Sequence, residues 1–322
     1  MNAGDWRPSA SLAVLRRRAA LLVTVRSFFR DRDVLEVETP VALGATVTDV
    51  HVQSLGLPGP SPRFLQTSPE YPMKRLLAAG SGDIYQICHV FRADEISPLH
   101  NPEFTMIEWY RLGMDFEGLM AETAALAQAV LAAGGHEPVP VESLSYSQAF
   151  ERELGCHPLD ARTQDLAALA ASHGLAASTA ANATHDELLD FLVATRIGPA
   201  LGRDRLTCLH HFPASQAALA QVDAADPRCA QRFELYAAGM ELANGYVELA
   251  DPAEQRRRFE TDLVERRRRG LAQPAIDARL LAALAHGLPA CAGVAMGFDR
   301  LVMLAVKATS IEEVMAFPWE RA

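Results

Sequence analysis

Apolar residues recur every three or four positions along residues 10–31, which is the spacing of one face of an amphipathic helix. That face is formed by Leu12, Leu15, Ala19, Leu22, Val25 and Phe29. A β-rich stretch over residues 34–38 follows and ends at Pro40, which predicts a short strand. Residues 83–92 and 103–111 are β-rich segments around a polar loop, and they predict a hairpin with a long tip.

The middle of the chain has a different pattern. Residues 117–200 are rich in alanine and leucine and are interrupted by glycine and proline, which predicts several short helices. Strand patterns return at 205–211, 233–236, 240–244 and 293–296, and helices are predicted at 252–269 and 299–307. We therefore expect a single α+β domain over residues 1–322 with a helix-rich insertion at about 117–200. No motif indicates a role for residues 135–200.

Composition narrows the class of protein. Apolar residues make up 49% of the 322 positions and charged residues 22%, which is typical of a globular domain that stabilises its own core. No apolar run approaches the ~18 residues of a membrane helix, and the first residues lack the pattern of a secretory signal, so we expect a cytoplasmic protein. Five scattered cysteines without a C-x-x-C pair argue against disulfides and structural zinc. A net charge of −10 argues against nucleic acid as a main partner.

The predicted hairpin carries the first candidate chemistry. Arg92 ends its first strand, and a guanidinium there can pair with a carboxylate or a phosphate. Phe104 lies on the returning strand, where its ring can stack on a base. Taken alone, the segment fits a surface hairpin with a salt bridge equally well.

Two later segments add acids, a glycine-rich strand and a second arginine. Glu234, Glu241 and Glu248 are spaced by seven among apolar residues, and carboxylates on adjoining strands ligate Mg²⁺ where it also holds phosphates. Gly293 starts a strand that runs into a helix, with Arg300 in its first turn, and glycine lets a flat ring lie on the backbone. The three glutamates also fit an edge strand whose acids face solvent. The segment from Gly293 to Arg300 also fits an ordinary strand–helix turn.

The order and content of these segments resemble the signature motifs of the class II aminoacyl-tRNA synthetases, and of the lysyl subgroup in particular. RSFFRDRDVLEVETP at 26–40 is similar to the first motif, FRADEISPLHNPEFTMIEWY at 91–110 to the second, and GVAMGFDRLVMLAV at 293–306 to the third. GMELANGYVELADPAEQRRRF at 239–259 resembles a segment of the lysyl enzymes. The resemblance covers about residues 12–320. It implies a catalytic domain with an antiparallel β-sheet flanked by helices, and a homodimer built on the first motif.

The resemblance implies ATP as co-substrate together with Mg²⁺. It gives Arg92 and Arg300 catalytic roles at the phosphates, and it makes Glu234 and Glu241 the metal ligands. The other ATP-binding positions that it implies are Asp94, His100, Asn101, Phe104, Leu242 and Gly297, with Glu241 contributing to both sets. Asp94 is shorter than the glutamate usual at the adenine contact, so either Asp94 or Glu95 makes that contact.

A pocket for a lysine-like amino acid is also implied. Its residues are Ser68, Pro69, Glu70, Glu108, Tyr110, Asn244, Glu248 and Ala295. Within it, Glu70 corresponds to the acid that holds the amine, and Glu248 with Tyr110 to the pair that recognises the terminal ammonium. The lysyl enzymes have alanine and glycine where this chain has Ser68 and Ala295. The added hydroxyl and methyl predict discrimination against α-lysine by about 1–3 kcal/mol per contact.

A second departure concerns tRNA. Lysyl-tRNA synthetases carry an N-terminal OB-fold that binds the anticodon, and none is expected here because the first-motif helix begins near residue 10. With these two departures, the chain resembles the family of elongation factor P–(R)-β-lysine ligases. That resemblance implies adenylation of (R)-β-lysine and its transfer to the ε-amino group of a lysine on elongation factor P, without tRNA and without a membrane. The sequence alone leaves the stereochemical preference open.

Other interpretations stay open. The chain fits a stand-alone lysine-activating ligase with another acceptor, an aspartate–ammonia ligase, a non-catalytic regulatory paralogue, or a nucleic-acid-binding module. An aspartate pocket needs a cation, so Tyr110 and Glu248 argue against the second of these. The motif arginines and metal-binding acids are all present, which argues against a regulatory paralogue; they are Arg92, Glu234, Glu241 and Arg300.

Arginines at 256–258 and 266–269 lie on one predicted helix. They form either a solvated face or a docking surface for an acidic acceptor that mimics tRNA. We adopt docking as a hypothesis.

Overall fold

The structure, a computed structural model, describes residues 6–93 and 95–322. The chain divides into two compact units, of which the first comprises Met1–Pro138 and Glu248–Ala322 and the second Val139–Val247. Helices and strands occur in both units, which confirms the expected α+β class.

A four-stranded sheet lies in the first unit. Its order is β1 (Leu35–Glu36), β5 (Ile84–Phe91), β6 (Glu103–Leu112) and β11 (Cys291–Gly297). The predicted hairpin forms from β5 and β6, which run antiparallel, and β11 is antiparallel to β6. β1 pairs in parallel with β5, so one edge departs from the antiparallel pattern. A small sheet has the order β2 (Ala42–Leu43), β4 (Arg63–Leu65) and β3 (Gly56–Leu57).

Helices of the first unit begin at identifiable caps. They are α1 (Leu12–Arg30), α2 (Glu70–Ala78), α3 (Phe116–Ala133), α8 (Pro252–Arg268), α9 (Ala278–Gly287) and α10 (Phe298–Val306). Ser11 caps α1 by accepting the Val14 N–H at 3.2 Å, and Asp115 caps α3 by accepting the Gly118 N–H at 2.7 Å. The predicted helices at 10–31, 252–269 and 299–307 are therefore present to within two residues.

The buried face of α1 differs from the predicted one. Val25 and Phe29 are buried as expected, whereas Leu12 is 65% exposed and Ala19 is also exposed. Phe29 stacks on Tyr85 of β5 with ring centroids 4.3 Å apart, and this contact turns the aromatic side of the helix toward the sheet. Part of the apolar stripe read from the sequence consequently faces outward.

The second unit carries the short helices expected in the middle of the chain. Its strands have the order β10 (Met240–Val247), β9 (Arg232–Ala237), β8 (Leu206–His210) and β7 (Val141–Ser145). Its helices are α4 (Tyr146–Leu154), α5 (Thr163–Ser172), α6 (Ala177–Asn182) and α7 (His185–Leu192). Residues 141–145 form a strand parallel to β8, although helices alone were expected in this segment. Their weak alternation, with a single leucine, gives little strand pattern.

The cysteines agree with the sequence analysis, since all five are free thiols. Over the described residues, no helix combines the length and the apolar character required to cross a membrane.

One buried carboxylate connects α1, β6 and α10. Asp299 is 1% exposed, accepts the Thr105 N–H at 2.6 Å and lies 2.8 Å from Arg18 Nη2. Arg18 also donates to the Thr105 hydroxyl at 2.8 Å. Burial raises the pKa of Asp299, while Arg18 and the Thr105 N–H oppose that rise. Removing this carboxylate would leave a cation and a backbone donor unsatisfied.

We expect Asp299→Ala to lower the free energy of unfolding by about 3 kcal/mol, because Arg18 and the Thr105 N–H lose their acceptor. Asp299→Asn keeps one acceptor and should lower it by less, about 1–2 kcal/mol. Urea denaturation measures both. Asp31→Ala, at an exposed site, is the control and should stay within about 0.5 kcal/mol. Equal values for all three variants would contradict the assignment.

Candidate active site

A buried cluster of ionisable side chains surrounds Lys74 in the first unit. Its Nζ donates to Glu70 Oε1 at 2.7 Å, one turn back on α2, and lies 2.5 Å from Glu248 Oε2. The side chains of Lys74 and Glu248 are each 1% exposed. The backbone N–H of Glu248 donates to the Cys291 carbonyl on β11 at 3.0 Å, which fixes the position of the Glu248 backbone. Two acids expected in the amino-acid pocket are thus brought together, with a lysine between them.

Glu108 adds a third carboxylate. It is 2% exposed on β6, where Tyr110 two residues later leaves the same face of the strand. Tyr110 Oη donates to Glu108 Oε1 at 2.7 Å, and Ser68 Oγ donates to Oε2 at 2.7 Å. Ser68 Oγ also accepts the Glu70 N–H at 2.9 Å, beside Pro69 at the N-cap of α2. One hydroxyl therefore connects two of the acids.

Burial shifts the pKa values of Glu108, Glu248 and Lys74. It raises the pKa of Glu108 to about 7, helped by Glu70 and opposed by the Tyr110 and Ser68 hydroxyls. Burial also raises the pKa of Glu248 to about 8, against the attraction of Lys74. For Lys74 burial lowers the pKa, but Glu248 and Glu70 outweigh it and hold the pKa above its ordinary value. Near neutral pH the lysine is charged, while Glu108 and Glu248 retain protons that a bound cation would displace.

Strand β11 closes one side of this pocket. Its register places Gly293 opposite Tyr110 and Ala295 opposite Glu108. A Cβ at position 293 would collide with the Tyr110 ring and with Glu248 Oε1, so this packing requires glycine. Ala295, by contrast, places its methyl beside Glu108.

The two positions that depart from the lysyl pattern meet at the same carboxylate. Ser68 donates a hydrogen bond to Glu108, and Ala295 lies opposite Glu108 on the neighbouring strand. Both therefore act on the position and charge of one acid of the pocket.

Arg92 follows β5 directly and faces an aromatic ring. Its guanidinium carbon lies 5.3 Å from the centroid of the Phe104 ring on β6. Its Nη1 is 3.6 Å from Glu95 Oε1, and its Nε lies 3.5 Å from the Thr67 carbonyl oxygen. The predicted adenine contact at Asp94 lies outside the described residues. A planar cation beside a ring suits a nucleotide, whose phosphate and base need these two groups.

The third predicted motif places a second arginine near the hairpin loop. Gly297 is the N-cap of α10, and Arg300 lies in the first turn of that helix. Arg300 Nε donates to the Leu99 carbonyl at 3.2 Å, and its Nη2 contacts the His100 ring nitrogen Nε2. Arg300 therefore connects the loop between β5 and β6 to α10, and its guanidinium is a group that can bind phosphate.

Asn101 supports this loop from inside. Its Nδ2 donates to the Glu103 carbonyl at 2.6 Å, and its Oδ1 accepts the Trp319 N–H at 2.9 Å. Both ends of the side-chain amide thus make bonds within the protein.

The second unit holds the remaining predicted residues. Glu234 on β9 is 8% exposed, and its carboxylate lies 2.5 Å from Arg232 Nη2 and accepts the Tyr236 hydroxyl at 2.7 Å. Asn244 on β10 is opposite Glu234 in register, and its Oδ1 accepts from Arg232 Nε at 3.2 Å. These four side chains form a polar cluster on two antiparallel strands.

Glu241 and Glu234 repel each other. Glu241 pairs with Tyr236, and the register then shifts between Glu241 and Ala243, which leaves buried Leu242 at a bulge. Burial raises the pKa of Glu234 to about 7, and the charge of Glu241 raises it further. Two carboxylates that repel each other can share a divalent cation whose other ligands are water and phosphate oxygens. Within 6–93 and 95–322, no group of three or more His, Cys, Asp or Glu side chains is arranged for a metal.

Two residues of these clusters, Lys74 and Arg232, were missed from sequence. Lys74 has the i, i+4 spacing from Glu70 that pairs charges on a helix, and this spacing was a usable signal. Arg232 precedes Glu234 by two positions, which places both on one face of β9. The requirement for glycine at 293 depends on the β6–β11 register and carried no sequence signal beyond the glycine itself.

Comparison with known proteins agrees with this geometry. Residues 2–321 match the family of class II tRNA synthetases (D, K and N), and the chain belongs to that family. This confirms the class II resemblance drawn from the motifs.

Several relatives are similar over their whole length. Each bears the name elongation factor P–(R)-beta-lysine ligase. The protein from Pseudoalteromonas translucida (strain TAC 125) is 49% identical over 330 aligned positions, which cover 100% of both chains. Those from Vibrio cholerae serotype O1 and Salmonella dublin are 48% and 50% identical, over 100% and 98% of both chains.

We expect the free energy of unfolding to fall as the pH rises from about 5 to about 8, partly through Glu108. Its pKa is about 7 in the folded protein against 4.5 ordinarily, so its stabilising contribution is complete below pH 4.5 and is lost as the pH rises through 7. A glutamine at position 108 cannot ionise. In Glu108→Gln we therefore expect the free energy of unfolding to fall by about 2–3 kcal/mol less over this pH range.

Urea denaturation at a series of pH values measures the effect. Glu117→Gln, at an exposed position of α3, is the matched control and should keep the slope of the unchanged protein. Parallel profiles for Glu108→Gln and the unchanged protein would contradict the ionisation assigned to Glu108.

Proposed function

We propose that this protein activates (R)-β-lysine with ATP and transfers it to the ε-amino group of a lysine on elongation factor P. The observation that carries the proposal is the buried cluster of Glu70, Glu108 and Glu248 with Tyr110, which suits an amino acid bearing two ammonium groups. The names of the full-length relatives support the same substrate and acceptor.

The first half-reaction forms an adenylate. The carboxylate of the amino acid attacks the α-phosphorus of ATP, one phosphorus–oxygen bond forms, and pyrophosphate leaves with the electrons of the bond that breaks. Arg92 stabilises the charge that develops on the α-phosphate, and Phe104 beside it holds the adenine ring. Arg300 binds the γ-phosphate, anchored through Leu99 and His100.

Glu234 and Glu241 would hold the magnesium ion that the family generally uses. When bound, this ion supplies positive charge to the β- and γ-phosphates. Within the protein, Arg232 and Tyr236 keep the Glu234 carboxylate oriented before nucleotide arrives. The same arginine donates to Asn244, which the family resemblance makes a contact of the substrate carboxylate.

The second half-reaction forms an amide. The neutral ε-amine of the acceptor lysine attacks the carbonyl carbon of the adenylate, the carbon–oxygen bond to AMP breaks, and the amine loses a proton to solvent. Because the adenylate is already activated, the protein needs to position the acceptor and exclude water.

Specificity for (R)-β-lysine would follow from Ser68 and Ala295, which both adjust Glu108. A methyl and a hydroxyl at these positions are expected to reject α-lysine by about 1–3 kcal/mol per contact, more if a polar group is left unpaired.

A homodimer is part of the proposal. Leu12, Ala19 and Val23 lie within about 40° of one another around α1, and Leu12 and Val23 are 65% and 63% exposed. An apolar stripe left uncovered suits burial against a second copy. Sedimentation equilibrium would show a single monomeric species if this part is wrong.

The docking hypothesis for the arginines of α8 needs one correction. Arg266 is 3% exposed and donates to the Asp49 and Ala272 carbonyls, both at 2.7 Å, and to Gln53 Oε1 at 3.0 Å. It therefore stabilises the fold and is not available to a partner. The proposed docking role is kept for the remaining arginines that are exposed, namely Arg256, Arg257, Arg267, Arg268 and Arg269.

Amino-acid-dependent ATP–pyrophosphate exchange tests the proposed function. We expect (R)-β-lysine to support exchange at a kcat/KM at least about tenfold above that of α-lysine, because each reshaped contact contributes 1 kcal/mol or more. Equal or better use of α-lysine would favour a general lysine-activating ligase. No exchange with either would favour a regulatory paralogue.

Transfer of labelled (R)-β-lysine to elongation factor P tests docking. Reversing charge with Arg256→Glu and Arg267→Glu should raise the KM for elongation factor P about tenfold. The reason is that each variant removes one exposed ion pair with the acceptor, which contributes up to about 1 kcal/mol. Pyrophosphate exchange should stay unchanged. Arg162→Glu, exposed on the second unit, is a control. An unaltered KM would remove the docking role.

A further inference from the structure

Lys74 is the one charged side chain of the Glu70–Glu108–Glu248 cluster that the proposed reaction does not use. It lies on α2 with a side chain 1% exposed, and its ammonium group contacts Glu70 at 2.7 Å and Glu248 at 2.5 Å. A lysine buried this completely is costly unless its charge is matched. Its placement between two substrate-binding acids indicates a task in the pocket.

The choice of lysine at this position is unusual for the chain. Of its 30 basic residues, 28 are arginine, and the only lysines are Lys74 and Lys307. Lys307 is exposed at the end of α10. Arginine carries a planar fork that needs room, whereas the ammonium of lysine is a compact charge with three donors. The narrow space between Glu70 and Glu248 accounts for the exception.

Charge counting links Lys74 to the substrate. Fully ionised, Glu70, Glu108 and Glu248 carry three negative charges, and Lys74 offsets one of them. The net charge of −2 that remains equals the charge needed to bind two ammonium groups. Without Lys74, a diamino acid would leave one buried carboxylate unmatched, and that acid would retain a proton.

We propose that Lys74 is a positioning residue of the amino-acid pocket, whose ammonium group bridges Glu70 and Glu248 and sets the charge of the pocket to match a diamino acid. It acts through the two acids and does not itself touch the substrate. This inference rests on the proposed function for the identity of the ligand, but the geometry of the bridge does not depend on it.

The groups that face Lys74 come from several elements. They are Glu70 on α2, Glu108 and Tyr110 on β6, Cys291 on β11, and Glu248. Burial raises the pKa of Cys291 to about 12, with Glu248 raising it further, so this thiol stays neutral. The acids therefore account for the pH dependence of the pocket between about pH 5 and 9.

Because the chain has two lysines, NMR can follow Lys74 in the unchanged protein. With lysine labelled by ¹³C, two Cε signals are expected, and Lys307→Met assigns them by removing one. Lys307 should titrate near its ordinary pKa of about 10.4, while Lys74 should remain charged to higher pH. Adding (R)-β-lysine should shift the Lys74 signal alone. Titration of Lys74 at or below the pH of Lys307 would overturn the proposal.

Pyrophosphate exchange with Lys74→Met tests the consequence for binding. Loss of the ammonium should raise the apparent pKa that governs the KM for (R)-β-lysine by at least about one unit, so that the KM at pH 7 rises about tenfold. Near pH 9 the KM should approach that of the unchanged protein, with kcat within about threefold throughout. Lys307→Met is the matched control.

A merely structural role for Lys74 would raise the KM equally at every pH, and that result would overturn the proposal, as would an unchanged profile. If Lys74→Met fails to fold, the NMR titration of the unchanged protein still decides the charge of the bridge. Failure of the proposed function is distinguishable, because the unchanged protein would then show no exchange with (R)-β-lysine or would use α-lysine at least as well.

Discussion

Burying carboxylates is unfavourable, and the amino-acid pocket of the first unit depends on the groups that offset this cost. Lys74 supplies one matching charge, while Tyr110 and Ser68 supply hydrogen bonds to Glu108. The offset is incomplete, since the pKa values of Glu108 and Glu248 stay well above ordinary ones. Under the proposed function, this pocket would bind a cationic amino acid and release protons on binding.

The same logic operates in the second unit. Glu234 is buried beside Glu241, and Arg232 with Tyr236 offsets part of the repulsion. Glu108 in the first unit and Glu234 and Glu241 in the second lie on β-strands, which fix the positions of these acids. Acids on strands are placed more accurately than acids on loops, which favours chemistry that depends on positioning and electrostatics.

Membership of the class II tRNA synthetase family and full-length similarity to elongation factor P–(R)-beta-lysine ligases agree with this arrangement. The pocket adds a physical reason for an unusual substrate. Ser68 and Ala295 both meet Glu108, so two small changes act on one carboxylate instead of being spread over the site. A change of substrate within one fold then needs few substitutions.

The sequence by itself determined the fold class, the hairpin, most helices and the residue types of the candidate site, because periodicity and ordered motifs are local signals. It could not determine which side of α1 is buried, since that depends on Phe29 packing against Tyr85. Nor could it place Lys74 between Glu70 and Glu248, or require glycine at 293. Only the tertiary structure decided these, because burial and strand register join residues distant in sequence.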